Sequence, residues 1–210
     1  MPSGLVPSTN CRIQIQEAVG YLRAGGVIVS PTDTLYGLVA DAFSTPALRR
    51  VFAIKGRQAD LALPVLVASL DQARQVVREF SEIGRRLAER FWPGPLTLVF
   101  SRSLGLPDLL SGGRDTVAVR MPDHWVPLSL AKELGRPITG TSANLSGGGD
   151  LLTLDEVAAT LGREVDYIIK CGPAPSGVAS TVVDVTNGEA RLLRQGALPF
   201  DEVLLASRLF

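Results

Sequence analysis

The stretch "GGVIVSPTDTLYGL", Gly25–Leu38, decides how the chain is read. Gly25-Gly26 ends what precedes it, and Val27–Ser30 is a β-rich apolar run. The chain then leaves that strand for Thr32, Asp33 and Thr34, followed by Tyr36 and Gly37. A plain connector needs only Asn-Gly or Pro-Gly. Thr and Asp side chains can bond their own backbone in short turns, so the segment reads either as a polar turn or as a site carried on a strand end.

Working outward, Ile15, Ala18, Val19 and Leu22 fall at i, i+3, i+4 and i+7, an amphipathic helix stopped by the two glycines. Thr45-Pro46 reads as an N-cap with Pro at the first helical position, opening a helix through Ile54. Pro64–Ala68 is a buried strand, and helices follow near Leu70–Val77 and Glu82–Phe91, the second capped by Ser81. "FWPGPLTLVF" turns through Pro93-Gly94-Pro95 into a strand at Leu96–Phe100. Further strands are "TVAVR" (Thr116–Arg120), "PITGT", "VDYIIK", "STVVDVT" and "ARLLR". Helices cover Val126–Leu134, a segment opened by the capping box Thr153–Glu156, and Phe200–Leu209. Seven or eight short strands among helices predict a mixed α/β sheet in one domain.

At 210 residues, 46% of them hydrophobic, the chain can bury a full core. No apolar run approaches the roughly 18 residues of a membrane helix, and Met1–Asn10 lacks a signal-peptide pattern, so no membrane association is expected. Net charge is zero, so any basic surface must be local. Cys11 and Cys171 are far apart in sequence and outside any CxxC, which predicts free thiols. With one histidine, His124, and no GxSxG, neither an HExxH zinc site nor a serine-hydrolase triad is expected. His124 reads as packing at a helix start, and Trp92 as a core anchor.

Chemistry concentrates in strand-end loops. "KGRQADLALP", Lys55–Pro64, ends a helix whose dipole favours cations there. Lys-x-Arg around a glycine also suits a phosphate clamp, a point charge beside a planar fork. Arg120 closes "TVAVR". "TGTSANLSGGG", Thr139–Gly149, offers Thr141, Ser142, Asn144 and free backbone N–H groups, a nest for an anion or nucleotide. Ser180 opens one strand and Arg194 closes another. No loop matches GxxxxGK[ST], and no GxGxxG opens a helix, so any nucleotide is held by another arrangement.

In this order, "PTDTLYGL", "KGR", "FWPGPLT", "TVAVRMPDH", "SANLSGG", "STVVDV" and "LLRQG" resemble the YrdC/Sua5 family of threonylcarbamoyl-AMP synthases, from about Ile13 to Pro199. The resemblance implies a single-domain, twisted, mostly mixed YrdC-like sheet with flanking helices and a concave basic groove. It divides the chain into an N-terminal extension (1–12), the YrdC-like domain (13–200) and a C-terminal helix of that domain (201–210), matching the short family form. It implies a cytoplasmic nucleotidyltransferase that joins L-threonine, bicarbonate or CO2, and ATP into L-threonylcarbamoyladenylate and pyrophosphate. A separate threonylcarbamoyl transferase complex then modifies adenosine 37 of tRNA. Carried over by position, Thr32, Arg120 and Ser180 would bind threonine. Lys55 and Arg57 would be catalytic and, with Thr116, Ser142, Asn144 and Arg194, hold the nucleotide. Mg2+ would enter on the ATP phosphates, with no protein ligand of its own. Asp33 is expected to brace its turn, Tyr36 to shape the cavity and Gly37 to let the chain turn away. The chain departs from many members in having Gln58 where proline is usual after Arg57, and Ala68 near a frequent histidine. The alternative is a non-catalytic accessory protein that binds tRNA or double-stranded RNA, for which the Lys-x-Arg and Ser-x-Asn spacings would serve no purpose. A carbamoyl-adenylate-forming relative from hydrogenase maturation would carry zinc-finger cysteines in a larger chain.

Overall fold

The computed structural model describes residues 8–58 and 60–208. Helix α1 (Thr9–Arg23) forms because Ile15, Ala18, Val19 and Leu22 make one buried stripe and the Ser8 side chain accepts from Cys11 N at 3.3 Å, capping the first turn. It starts within the first twelve residues expected to precede the domain.

Strand β1 (Ile28–Ser30) pairs antiparallel with β2 (Gly37–Val39), matching Ile28 to Val39 and Ser30 to Gly37. Gly37 therefore does not turn the chain away: it opens the return strand of a hairpin. The polar segment between is the hairpin's loop.

Helix α2 (Thr45–Lys55) is capped by Ser44, not Thr45, whose place is the first helical residue. The helix ends at Gly56, whose φ of +57° lies in the left-handed region that glycine enters without strain. Next come β3 (Val65–Leu66), α3 (Leu70–Val76), α4 (Glu82–Phe91) and β4 (Leu96–Ser101), with Ser69 and Ser81 capping the two helices. Trp92 is buried and donates Nε1 to Leu96 O at 2.7 Å, an anchor as expected. A short α5 (Asp108–Ser111), unforeseen in the sequence, precedes β5 (Thr116–Arg120).

Helix α6 (Trp125–Leu134) starts at His124, whose Nδ1 accepts from Val126 N at 3.2 Å and whose Nε2 donates to Pro173 O at 3.1 Å. Both ring nitrogens are thus committed in the neutral form, and burial lowers the imidazole pKa. The "PITGT" segment is two strands, β6 (Ile138–Thr139) and β7 (Thr141–Ser142). After them come α7 (Leu154–Leu161), with its Thr153–Glu156 capping box, then β8 (Tyr167–Ile168), β9 (Thr181–Asp184), β10 (Arg191–Arg194) and α8 (Phe200–Arg208). Leu209, expected to end that last helix, lies outside the described residues.

The ten strands among the described residues are divided between two mixed sheets flanked by helices, ordered β7-β2-β1-β8 and β10-β9-β4-β5-β3-β6. The class is the mixed α/β one expected, with two sheets in place of one. The hairpin supplies one unforeseen strand and the splitting of "PITGT" another. The chain passes from the larger sheet to the smaller at Gly140, where a Cβ would lie 2.4 Å from Leu66 Cγ. Helices α1 and α6 bury Ile15, Leu22, Val126 and Leu130 with Ile28 and Val39 in one cluster. The main core joins Val27, Val29, Leu38, Leu48 and Val51 to Leu96, Leu98, Phe100, Val117 and Val119. Cys11 and Cys171 are free, as expected, although the fold brings them into contact: burial and a hydrogen bond from Cys11 push the Cys171 thiol up to about 12. No described helix is long and apolar enough to cross a membrane.

Candidate functional site

The hairpin loop is organised by Thr32. Its Oγ1 accepts from Thr34 N at 3.1 Å and Leu35 N at 3.2 Å, and donates to Leu35 O at 2.7 Å. The hydroxyl builds the turn, while the residue itself lines a cavity. Asp33 braces something other than its turn. Its carboxylate is paired with Arg120, which also donates Nη1 to Thr34 Oγ1 at 2.7 Å and Nε to Gly94 O at 2.9 Å. The 172–178 loop closes over this pair: Ser176 N donates to Asp33 O and Gly177 N to Thr34 O. Arg120 is 5% exposed, and the desolvation that lowers its pKa is opposed by Asp33 and reinforced by Arg194. Two of its N–H bonds remain, because a guanidinium has five and three are used.

Lys55 lies at the last turn of α2, where the helix aims its stem across the gap to β7. Its Nζ donates to Ser142 O at 2.6 Å, Asn144 O at 2.9 Å and Asn144 Oδ1 at 2.9 Å. All three ammonium protons therefore hold the Ser-Ala-Asn turn in place. Burial, with the nearby Arg57 charge, lowers the Lys55 pKa to about 8. The Ser142 hydroxyl donates to the same Asn144 Oδ1 at 2.8 Å. Arg57, just beyond the helix end, donates to Ala62 O at 3.2 Å and reaches Thr141 Oγ1 at 3.5 Å. Burial and Arg114 lower its pKa.

The floor comes from one face of the larger sheet. Along a strand, alternate side chains share a face, and here one face carries Thr97 and Val99 of β4, Ala118 and Arg120 of β5, and Val182 of β9. The other carries Leu96, Leu98, Phe100, Val117, Val119 and Val183, all in the core. Ser180 enters just before β9, its Oγ 2.8 Å from Thr97 Oγ1. Arg194 at the end of β10 donates Nη2 to Ser180 O at 2.8 Å and lies 3.3 Å from Ser180 Oγ. The following Gly196 is needed because a Cβ there would sit 2.3 Å from Ala179 O.

These parts enclose a cavity of about 290 Å³. Of the residues expected from sequence, Thr32, Arg57, Arg120, Ser142, Ser180 and Arg194 line it. Lys55 and Asn144 stand one layer behind, holding Ser142. Thr116, one full strand repeat beyond Ala118 on the same face of β5, is outside the wall. Tyr36 lines the cavity as expected, its phenol pKa raised by burial. Thr141, expected in the anion nest of the Gly-rich loop, lines it too, as does Thr34 of the opening stretch, while Thr97 and Asp150 also line it and were not singled out from sequence. Thr97 carried a legible signal: a hydroxyl at an alternate position in an otherwise apolar strand. Among the lining residues three guanidiniums face one carboxylate, Asp150, so the cavity suits an anionic ligand. No described cluster of three or more His, Cys, Asp or Glu could hold a metal by itself.

A model of the Sua5/YciO/YrdC family, described as "Telomere recombination", matches residues 20–196. The chain is 42% identical over 199 residues to the threonylcarbamoyl-AMP synthase of Pyrococcus abyssi, covering 92% of this chain and 58% of that protein. It is 38% identical over 194 residues to the threonylcarbamoyl-AMP synthase of Bacillus subtilis, covering 90% of this chain and 55% of that one. A crystal structure of P. abyssi Sua5 complexed with L-threonine superposes with a TM-score of 0.88 at 42% identity, over 91% of this chain and 56% of that one. The chain thus spans a little over half the length of these relatives.

Proposed function

The chain belongs to the Sua5/YciO/YrdC family, and from that membership and the cavity we propose that it is an L-threonylcarbamoyladenylate synthase. The observation that carries the reading is the gathering of Arg57, Arg120 and Arg194 with Ser142 and Ser180 around one cavity, in a chain similar to synthases from two organisms. The complex of the P. abyssi relative with L-threonine supports threonine as the amino acid.

The reaction unites anions. The threonine amine adds to CO2 from bicarbonate and loses a proton, giving an N-carboxylate. That carboxylate oxygen attacks the α-phosphorus of ATP, and the bond to the β-phosphate oxygen breaks to release pyrophosphate. Arg120 pairs with the threonine carboxylate through its remaining N–H bonds, held at that depth by Asp33, Thr34 and Gly94. Thr32 and Ser180 line the threonine end. Arg57 and Arg194 screen phosphate charge, Ser142 contacts the nucleotide, and Lys55 and Asn144 fix the Ser142 turn. Thr116 belongs to the outer nucleotide side. With no histidine free for proton transfer, positioning and electrostatics carry the acceleration.

Mg2+ would come with ATP. Such an ion keeps several waters and takes phosphate oxygens with one or two carboxylates, a donor set that the Asp150 carboxylate on the cavity wall would fit. When bound it would offset the charge of the phosphates.

The product is an activated carbamoyl adenylate. It passes to a threonylcarbamoyl transferase complex acting on adenosine 37 of tRNA, in the cytoplasm. A role as an RNA-binding accessory protein is not favoured, because the relatives are named as synthases. The experiment is pyrophosphate release from ATP in bicarbonate, with L-threonine, with L-serine and with no amino acid. Release that requires L-threonine is expected; release independent of it, or none, overturns the reading.

A further inference from the structure

Strand β4 reads Leu96-Thr97-Leu98-Val99-Phe100, buried at every position. Thr97 is its one polar side chain in that run and is 4% exposed. A hydroxyl taken out of water without a partner is costly, so its partner is informative. That partner is Ser180 Oγ, 2.8 Å away across the β4–β9 pairing. On this sheet face Thr97 is paired with Val182 of β9, and the antiparallel register that matches Leu98 to Val119 sets Arg120 opposite it on β5; Arg120 donates to Gly94 O, Thr34 Oγ1 and Asp33, and Thr97, Ser180, Val182 and Arg120 all line the cavity.

The protons can be counted. A hydroxyl has one donor and two acceptor lone pairs. Arg194 Nη2, 3.3 Å from Ser180 Oγ, directs an N–H at one lone pair. If Thr97 donates into the second, the Ser180 proton is left for a ligand. In the opposite orientation the Ser180 proton is held by Thr97. An amino-acid carboxylate is a stronger acceptor than a hydroxyl, so its arrival turns the Ser180 proton outward and Thr97 donates in its place.

We propose that Thr97 is a positioning residue for amino-acid recognition: it donates to Ser180 Oγ and fixes the Ser180 hydroxyl as a donor aimed into the cavity. The proposal rests on the reading of the cavity as an L-threonine site. It assigns Thr97 no contact with the reacting atoms.

The test is threonine-dependent pyrophosphate release by the parent chain, Thr97→Val, Thr97→Ser, Ser180→Ala and the Thr97→Val/Ser180→Ala double variant, each titrated separately with L-threonine and with ATP. Thr97→Val removes one neutral hydrogen bond, so KM for L-threonine is expected to rise about five- to tenfold. KM for ATP stays at the parent value, and Thr97→Ser restores KM for threonine to within about twofold. In the Ser180→Ala background, Thr97→Val has no further effect, because its partner is gone. Thr97→Ala, which needs no room for a second methyl, carries the same expectation where the valine crowds the strand. An unchanged KM in Thr97→Val, an equal loss in Thr97→Ser, or a full additional effect beside Ser180→Ala overturns the proposal. Absence of threonine dependence in the parent chain overturns both this proposal and the reading beneath it, whereas a threonine-dependent parent with an indifferent Thr97 overturns this proposal alone.

Discussion

The two faces of the six-stranded sheet share their backbone and differ in almost everything else. One face presents Leu96, Leu98, Phe100, Val117, Val119 and Val183 to the main core. The other, one residue out of step, presents Thr97, Ala118, Arg120 and Val182, with Ser180 and Arg194 at its margin, to a cavity of about 290 Å³. The residues alternate within single strands, so the same hydrogen-bond ladder that secures the core fixes the spacing of the polar groups. A site built this way has the rigidity of a core with the chemistry of a surface. It also separates stability from function at a distance of one residue.

That separation can be broken by substitution. The largest effect should come from the core face. Leu98→Ala, at a fully buried position, is expected to cost about 2–5 kcal/mol of unfolding free energy through lost burial and the cavity left behind. The kinetic constants of the molecules that remain folded should be unchanged. Denaturant unfolding read beside pyrophosphate release checks this, and a large loss of kcat with little loss of stability would contradict it. The cavity wall should behave in the opposite way. Arg57→Ala is expected to lose about 2–4 kcal/mol of transition-state stabilisation, a drop of roughly 30- to 900-fold in kcat/KM. Its unfolding midpoint should barely move, since among the described residues the Arg57 side chain makes only the hydrogen bonds to Ala62 O and Thr141 Oγ1. Wild-type rates in that variant would remove Arg57 from the catalytic group. The Thr97 variants probe the same boundary with the smallest expected change, a KM effect confined to one substrate.

Much of the architecture was legible because it is local. The stripe of Ile15, Ala18, Val19 and Leu22 marks α1, and the Thr153–Glu156 capping box marks α7. The strands around Leu98 and Val119 show as β-rich runs. What escaped was settled by contacts distant in sequence. Gly37 after Tyr36 looks like a turn, and only its pairing with Ser30 and with Ser142 of β7 makes it a strand. "PITGT" looks continuous, and the change of sheet at Gly140 depends on Leu66 lying beneath it. The polar loops were legible as candidates, while their division of labour was not. Lys55 has the chemistry of a phosphate clamp, yet its ammonium is engaged by a turn 87 residues further along the chain. Asp33 is beside Thr32 in sequence, yet its role comes from Arg120. Thr97 had a local signal, a single hydroxyl at an alternate position of an apolar strand, but which face of that strand lines a cavity depends on the rest of the sheet.

The proposed activity has the polar face assemble a threonylcarbamoyl adenylate from its three precursors. Its most direct test is mass-spectrometric identification of the nucleotide formed when the chain is incubated with ATP, Mg2+, bicarbonate and L-threonine. An adenylate with the mass of threonylcarbamoyl-AMP is expected, formed in step with pyrophosphate and absent when either bicarbonate or threonine is withheld. Pyrophosphate release accompanied only by free AMP, or an adenylate that forms without bicarbonate, would contradict it.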